Sequence, residues 1–207
     1  MDKKYVITIA RGFGSGGKTI GQMLSERLSI PYYDNDILRL ASEESGIHER
    51  FFGQVDEKLK SSLFKFGRSK VYSGELIAPS SSSFVSDDNL FNYQAKIIKM
   101  LAEKESCIIV GRCADFVLKD CPNVIRLFVF ADEEQCITNI CEKYGIDAKA
   151  AKKMRNITDK RRSEYYKYYT GSDWDNARNY DLSLNTANLG YEKCAQIVCD
   201  YLDVRFK

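Results

Sequence analysis

Residues 5–19 read YVITIARGFGSGGKT, from Tyr5 to Thr19, and this stretch decides the fold. Its first part, Tyr5–Ala10, is a short, largely apolar run bounded by glycines, which predicts a strand. Beyond the glycines, Ile20, Met23, Leu24 and Leu28 recur at helical spacing and predict a helix over about 17–29. Between the two, Gly12-Phe13-Gly14-Ser15-Gly16-Gly17-Lys18-Thr19 fits G-x-x-x-x-G-K-[ST] in full. Glycines at Gly12, Gly14, Gly16 and Gly17 let backbone N–H groups converge on a phosphate without Cβ clashes. The helix N-terminus adds partial positive charge. In such a loop Lys18 reaches the β- and γ-phosphates of a nucleoside triphosphate, and the Thr19 hydroxyl ligates Mg²⁺.

The same letters hold a rival. Gly12-x-Gly14-x-x-Gly17 is also a dinucleotide fingerprint, and Asp34 follows at the spacing of a ribose-binding acid. Lys18-Thr19 is superfluous to that site and essential to a phosphate loop, so the triphosphate reading is preferred.

Further along, Pro31-Tyr32-Tyr33 begins a second strand ending at Asp34, and 35–45 reads as a helix stopped by Gly46. Residues 47–88 mix a helix near 54–66 with a long loop. Asp88 is expected to cap a helix whose apolar face is Phe91, Ile97, Ile98 and Leu101. Cys107–Val110 and Val124–Phe130 read as strands. Asp132, with Gln135 three residues on, has the form of a capping box for a helix closed by Gly145. A long basic helix from Asp147 to about Tyr169 is ended by Gly171, with a last strand at Leu182–Leu184 and a last helix at Gly190–Leu202. This alternation predicts an α/β fold with a parallel sheet and helices on both faces. The long crossover between the second and third strands predicts an inserted subdomain.

The chain of 207 residues suits one domain, and its net charge of +2 argues against a general nucleic-acid binder. The charge is uneven: residues 149–169 carry eight Lys or Arg against Asp159 and Glu164. A cationic segment on a mildly acidic body predicts a local anionic ligand. The seven cysteines include no C-x-x-C pair and read as buried thiols of a reducing compartment. No apolar run approaches spanning length, and the apolar start is too short for a signal segment, so a soluble cytoplasmic protein with no membrane partner is expected.

With these pieces in hand, the chain resembles the cytidylate kinase-like family of P-loop kinases. The stretches that carry the resemblance are ITIARGFGSGGKTIGQMLSERLSIPYYDNDIL (7–38), IIVGRCADFVL (108–118), DKRRSEYYKYYTGSDW (159–174) and NYDLSLNT (179–186). It implies a three-layer P-loop NTPase fold with a five-stranded parallel sheet and helical inserts for the acceptor and the lid. It also implies transfer of the ATP γ-phosphoryl, with Mg²⁺, to a small acceptor, a nucleoside monophosphate such as CMP. The core would comprise 1–34, 105–145 and 173–207, the acceptor-binding insert about 35–104, and the lid about 146–172. Two departures bear on the acceptor. Asp34 matches the family's acid after the second strand, but Asn35-Asp36 replaces its Thr-Gly and Arg39 falls one place early. The family's Gly-Arg-Asp reads Gly111-Arg112-Cys113, and Asp115 cannot be assumed to replace the missing acid.

The candidate residues follow. Lys18, Arg155, Arg161 and Arg162 are expected to stabilise charge in transfer; Gly12, Gly14, Ser15, Gly16, Gly17, Lys18 and Thr19 to hold the triphosphate; Thr19 to bind Mg²⁺. Asp34, Asp36, Arg39 and Arg112 are expected at the acceptor, with helix capping as the bland reading of the two acids. Arg155, Asp159 and Arg162 share one face of the basic helix. Tyr165, Tyr166, Tyr168 and Tyr169 beside these cations read as packing residues rather than a nucleic-acid platform. His48, the only histidine, is given no catalytic role, Trp174 and Tyr180 are expected to pack where the lid rejoins the core, and Asp181 to end a turn. The alternatives are another small-metabolite P-loop kinase and an ATP-binding regulatory domain without turnover.

Overall fold

The computed structural model describes residues 4–57 and 72–206. A sheet of five parallel strands is ordered β2-β3-β1-β4-β5, with β1 at its centre. The strands are β1 (Val6–Arg11), β2 (Tyr32–Tyr33), β3 (Cys107–Val110), β4 (Val124–Phe130) and β5 (Leu182–Asn185). The helices are α1 (Gly17–Leu28), α2 (Asp36–Ser45), α3 (Glu49–Glu57), α4 (Asp87–Lys104), α5 (Ala114–Val117), α6 (Glu133–Tyr144), α7 (Ala148–Thr170) and α8 (Thr186–Phe206), with a 3₁₀ turn at Ala177–Asn179. Gly190 interrupts α8 at φ 73° and ψ 164°. Among the described residues no helix is long and apolar enough to cross a membrane.

The central strands are apolar on both faces because helices cover both. Ile7, Ile9, Val110, Leu127 and Val129 pack with Leu24 of α1 and Val198 of α8. On the other face Val6, Cys107, Ile109 and Val124 pack with α2, α4 and the end of α7. That second core is aromatic: the Tyr169 ring stacks on Phe91 with centroids 3.9 Å apart, and Tyr165 meets Phe91 edge-on at 5.9 Å. The four tyrosines of α7 are buried, so packing accounts for them. All seven cysteines are free thiols.

Several local expectations change. Ser86, not Asp88, caps α4, its hydroxyl accepting from the Asn89 N–H; Asp87 and Asp88 lie in the first turn. Asp132 precedes α6 but makes no capping bond, and instead accepts from Asn185 while Gln135 bonds Asn139. Asp181 does more than end a turn: it accepts from the Arg126 backbone N–H and from Nε and Nη2 along one edge of its guanidinium. The helix expected near 54–66 begins earlier, as α3, and the rest of that span lies outside the described residues.

Parallel register brings the strand ends to one edge of the sheet. Ile9 pairs with Val110, and Tyr33 with Ile109. Arg11, Asp34 and Gly111–Arg112 therefore emerge side by side, beside the glycine loop.

Candidate functional site

The loop 12–19 is shaped by glycines where other residues would not fit. Gly14 and Gly16 have φ of 84° and 81°. A Cβ on Gly14 would meet the Cys136 carbonyl at 2.6 Å, and one on Gly16 would collide with the Tyr191 ring. The loop is also braced from behind. The buried Ser15 hydroxyl donates to the carbonyls of Gly12 (2.8 Å) and Val129 (3.0 Å), and its carbonyl accepts from Thr186 (2.9 Å). Asn139 of α6 donates to the Gly14 carbonyl at 2.7 Å. The loop's carbonyls thus point into protein, and α1 begins at Gly17 with its N-terminus facing the cavity.

Two cavities of about 480 Å³ each meet at this loop. The loop cavity is lined by Gly12, Phe13, Gly14, Gly16, Gly17, Lys18 and Thr19, and beyond them by Asn139, Tyr144 and Tyr191. The strand-end cavity is lined by Asp34, Asn35, Gly111, Arg112, Asp115, Arg161, Tyr166 and Trp174, among others. Three residues line both: Arg11, Lys18 and Arg162.

Asp34 organises the boundary. One carboxylate oxygen pairs with the Lys18 ammonium and the other with the Arg112 guanidinium. Burial pushes Asp34 up, but the bond from Lys18 and the charges of Arg11 and Arg112 outweigh it and hold the carboxyl below its ordinary value. Arg112 reaches Asp34 because Gly111, Arg112 and Cys113 all have left-handed backbone, with φ of 78°, 53° and 53°. That geometry costs energy at the two non-glycine residues and turns the Arg112 side chain back over the end of β3, where it also donates to Asn35.

α7 crosses the loop. The Asp159 carboxylate accepts from the Phe13 N–H at 2.8 Å, and Arg162 donates to the Arg11 carbonyl at 2.9 Å. Burial raises Asp159 from its ordinary value, against the pull of the Phe13 bond and of Arg162 and Arg155. Asp115 is more deeply buried. Burial pushes it up to about 6, opposed by the bond it accepts from the Tyr166 hydroxyl at 2.6 Å.

The expected site residues do not all meet here. Lys18, Thr19, Asp34, Arg112, Arg161, Arg162 and the four glycines line one cavity or both. Ser15 is sealed behind the loop. Arg155 turns to Glu133 at 3.3 Å and toward Asp159, and lines neither cavity. Asp36 is exposed in the first turn of α2, and Arg39 pairs with Glu43 at 2.6 Å on the outer face; neither lines a cavity. Neither Asp34 nor Asp36 caps α2, since the position before the helix belongs to Asn35. Sequence reasoning missed Arg11 at the strand-end cavity and Asn139, Tyr144 and Tyr191 at the loop cavity, and it named Asn35, Asp115, Tyr166 and Trp174 without giving them a place in the site. Arg11 carried a signal: an arginine directly before the glycines, at the mouth of an apolar strand.

A family model described as the cytidylate kinase-like family matches residues 6–188. No curated protein sequence matches significantly. Among solved structures, an uncharacterised protein from Eubacterium ventriosum ATCC 27560 is 27% identical with a TM-score of 0.72, over 98% of this chain and 100% of that one. Shikimate kinase from Bacteroides thetaiotaomicron is 12% identical with a TM-score of 0.54, over 96% of this chain and 98% of that one. Shikimate kinase from Acinetobacter baumannii, solved with shikimate, is 13% identical with a TM-score of 0.53, over 100% and 97%. At such identities the two kinases share the fold and no more.

Proposed function

The chain belongs to the cytidylate kinase-like family, and from that membership we propose that it transfers the γ-phosphoryl of ATP to a small anionic acceptor, a nucleoside monophosphate such as CMP. The observation that carries this reading is the meeting of two cavities at three shared cations, Arg11, Lys18 and Arg162. A donor phosphate chain in the loop cavity ends where an acceptor in the strand-end cavity begins. The strand-end cavity is lined by Arg11, Lys18, Arg112, Arg161 and Arg162 against Asp34 and Asp115, which suits a ligand with several negative charges.

In this mechanism the amides of the loop and Lys18 hold the β- and γ-phosphates. The loop fits that role: its carbonyls are tied back to Asn139 and Thr186, and Thr19 is exposed at the cavity. Thr19 would hold Mg²⁺ through its hydroxyl, the remaining ligands being phosphate and water oxygens. When bound, Mg²⁺ neutralises charge on the β- and γ-oxygens. Arg112 and Arg161 orient the acceptor. An oxygen of the acceptor phosphate, already ionised at neutral pH, attacks the γ-phosphorus in line. The bond from that phosphorus to the β–γ bridging oxygen breaks, its electron pair leaves with ADP, and no strong base is required. The α7 segment acts as a lid, excluding water that would otherwise take the phosphoryl group.

A panel of nucleoside monophosphates and small anionic metabolites, shikimate and gluconate included, tests the reading by consumption of MgATP. One nucleotide should be clearly preferred. Preference for a non-nucleotide metabolite would move the chain to another kinase class, an outcome that Cys113 and Asn35 at the cavity make worth testing. ATP binding with no product would leave a regulatory domain.

A further inference from the structure

Among the described residues, Arg11 is the one cation shared by both cavities whose guanidinium makes no hydrogen bond or ion pair. Lys18 is paired with Asp34. Arg162 is tied to the Arg11 carbonyl and to Asp159. For the Arg11 guanidinium, no hydrogen bond or ion pair exists among the described residues, and its Nε is buried without a partner. Asp34, the acid whose charge acts on Arg11, already spends one oxygen on Lys18 and the other on Arg112. Burial first, then the charge of Arg162, pull Arg11 down to about 9 against the attraction of Asp34, with Arg112 adding to the pull; Arg11 still stays charged at neutral pH.

Such an arrangement is costly in the free protein. A guanidinium removed from water beside two other guanidiniums loses solvation and makes no hydrogen bond or ion pair in return, with the more distant charge of Asp34 in its favour. The fold nevertheless makes room for it. A Cβ on Gly17 would meet the Arg11 Cβ at 2.5 Å, and a Cβ on Gly111 would collide with the guanidinium itself. Two glycines on different elements thus leave a slot in which this one side chain runs from the loop to the turn after β3. A charge held unpaired in a prepared slot, facing the boundary of two cavities, is a charge kept for a ligand anion.

We propose that Arg11 is a further catalytic residue, whose guanidinium contacts the phosphoryl group as it passes from the loop cavity to the strand-end cavity. The inference rests on the kinase reading above and adds a residue to it. A planar guanidinium can bond two equatorial oxygens of the transferring group at once, and over these oxygens the charge of the transition state is spread. Lys18 and Arg162 flank it, so the group in transit would be ringed by three cations. Because Arg11 sits on β1, the most central strand, its position is fixed before any substrate arrives.

Arg11→Met and Arg11→Lys test this with the acceptor that the wild type selects from the panel above. Arg11→Met should lower kcat by ~100-fold or more while the Kd for MgADP stays within about threefold, because the lost contact is made to the group that ADP lacks. The thermal midpoint of the free protein should hold or rise, since an unpaired buried charge is removed. Arg11→Lys, which keeps the charge but not the two-pronged geometry, should recover part of kcat. A kcat within threefold of wild type in Arg11→Met would overturn the proposal. So would a fall in kcat accompanied by an equal loss of MgADP affinity and a lowered midpoint, which would make Arg11 a support of the loop. If the wild type transfers phosphoryl to nothing in the panel, the kinase reading itself fails and this inference falls with it.

Discussion

Lys18 and Asp34 show how one ion pair can belong to both halves of a reaction. The pair poises the ammonium at the mouth of the loop cavity and holds the carboxylate beside Arg112. Replacing Lys18 with Met should lower ATP turnover by ~100-fold or more, measured as ADP formed with the preferred acceptor. Asp115 makes a different residue-scale prediction. Its folded value of about 6 lies above the ordinary 3.8, so the folded state binds the proton more tightly than the unfolded one. Its contribution to stability is therefore full below pH 3.8 and declines as pH rises through about 6. The loss is of the order of 3 kcal/mol. Asp115→Asn, which keeps an acceptor for Tyr166, should gain stability relative to wild type between pH 4 and pH 7; urea unfolding at both pH values measures the difference. An unchanged gap between the two proteins would mean that Asp115 ionises as freely folded as unfolded. At this scale the loop was legible because glycines, a lysine and a threonine at fixed spacing have few other uses. Arg11 and Asp115 were not, because a single charged residue at the end of a strand or in a short helix has no period to betray it. Asp36 and Arg39, expected at the acceptor, line neither cavity in this structure: Asp36 is exposed and Arg39 pairs with Glu43.

At the scale of elements, α7 is a basic helix that docks through an acid. Asp159 joins it to the Phe13 N–H, and the Arg162 guanidinium lies over the Phe13 ring with 5.5 Å to its centroid. Asp159→Ala should free that amide without unfolding the helix. Hydrogen exchange at Phe13 should quicken by ~10-fold or more while exchange in the sheet is unchanged. Equal exchange at Phe13 would show that the loop does not depend on this bond. Periodicity found α7, and glycine at position 171 ended it as expected, with φ of 73°. The cations of its exposed turns were equally visible, yet only Arg161 and Arg162 reach a cavity, while Arg155 is taken by Glu133. Which charges of a helix face inward depends on what it crosses, and that is set by tertiary packing. Capping was read less well for a related reason: Asp132 stands directly before α6 yet bonds Asn185 instead of capping, and Ser86, two residues ahead of Asp88, took the position before α4.

In the whole molecule the sheet sets the distances. Alternating strands and helices were enough to foresee a parallel sheet with helices on both faces, because strands buried on both faces leave apolar runs, and the resemblance supplied the five strands that the fold has. The second core was less legible, since its aromatic residues come from distant segments. Phe91 of α4 and Tyr169 of α7 stack across it and tie the crossing helix to the rest of the fold. Phe91→Ala should cost about 3–5 kcal/mol and lower the thermal midpoint by roughly 10 °C. An unchanged midpoint would mean that this core contributes little to holding α7 in place. The two cavities that the sheet edge creates are the basis of the functional account. Phosphorus NMR of wild-type protein with MgATP and the acceptor panel follows the γ-phosphoryl directly. The account predicts loss of the γ signal, growth of ADP, and a matching resonance from one newly phosphorylated acceptor. ATP that stays intact, or that yields only ADP and inorganic phosphate with every acceptor present, would contradict it.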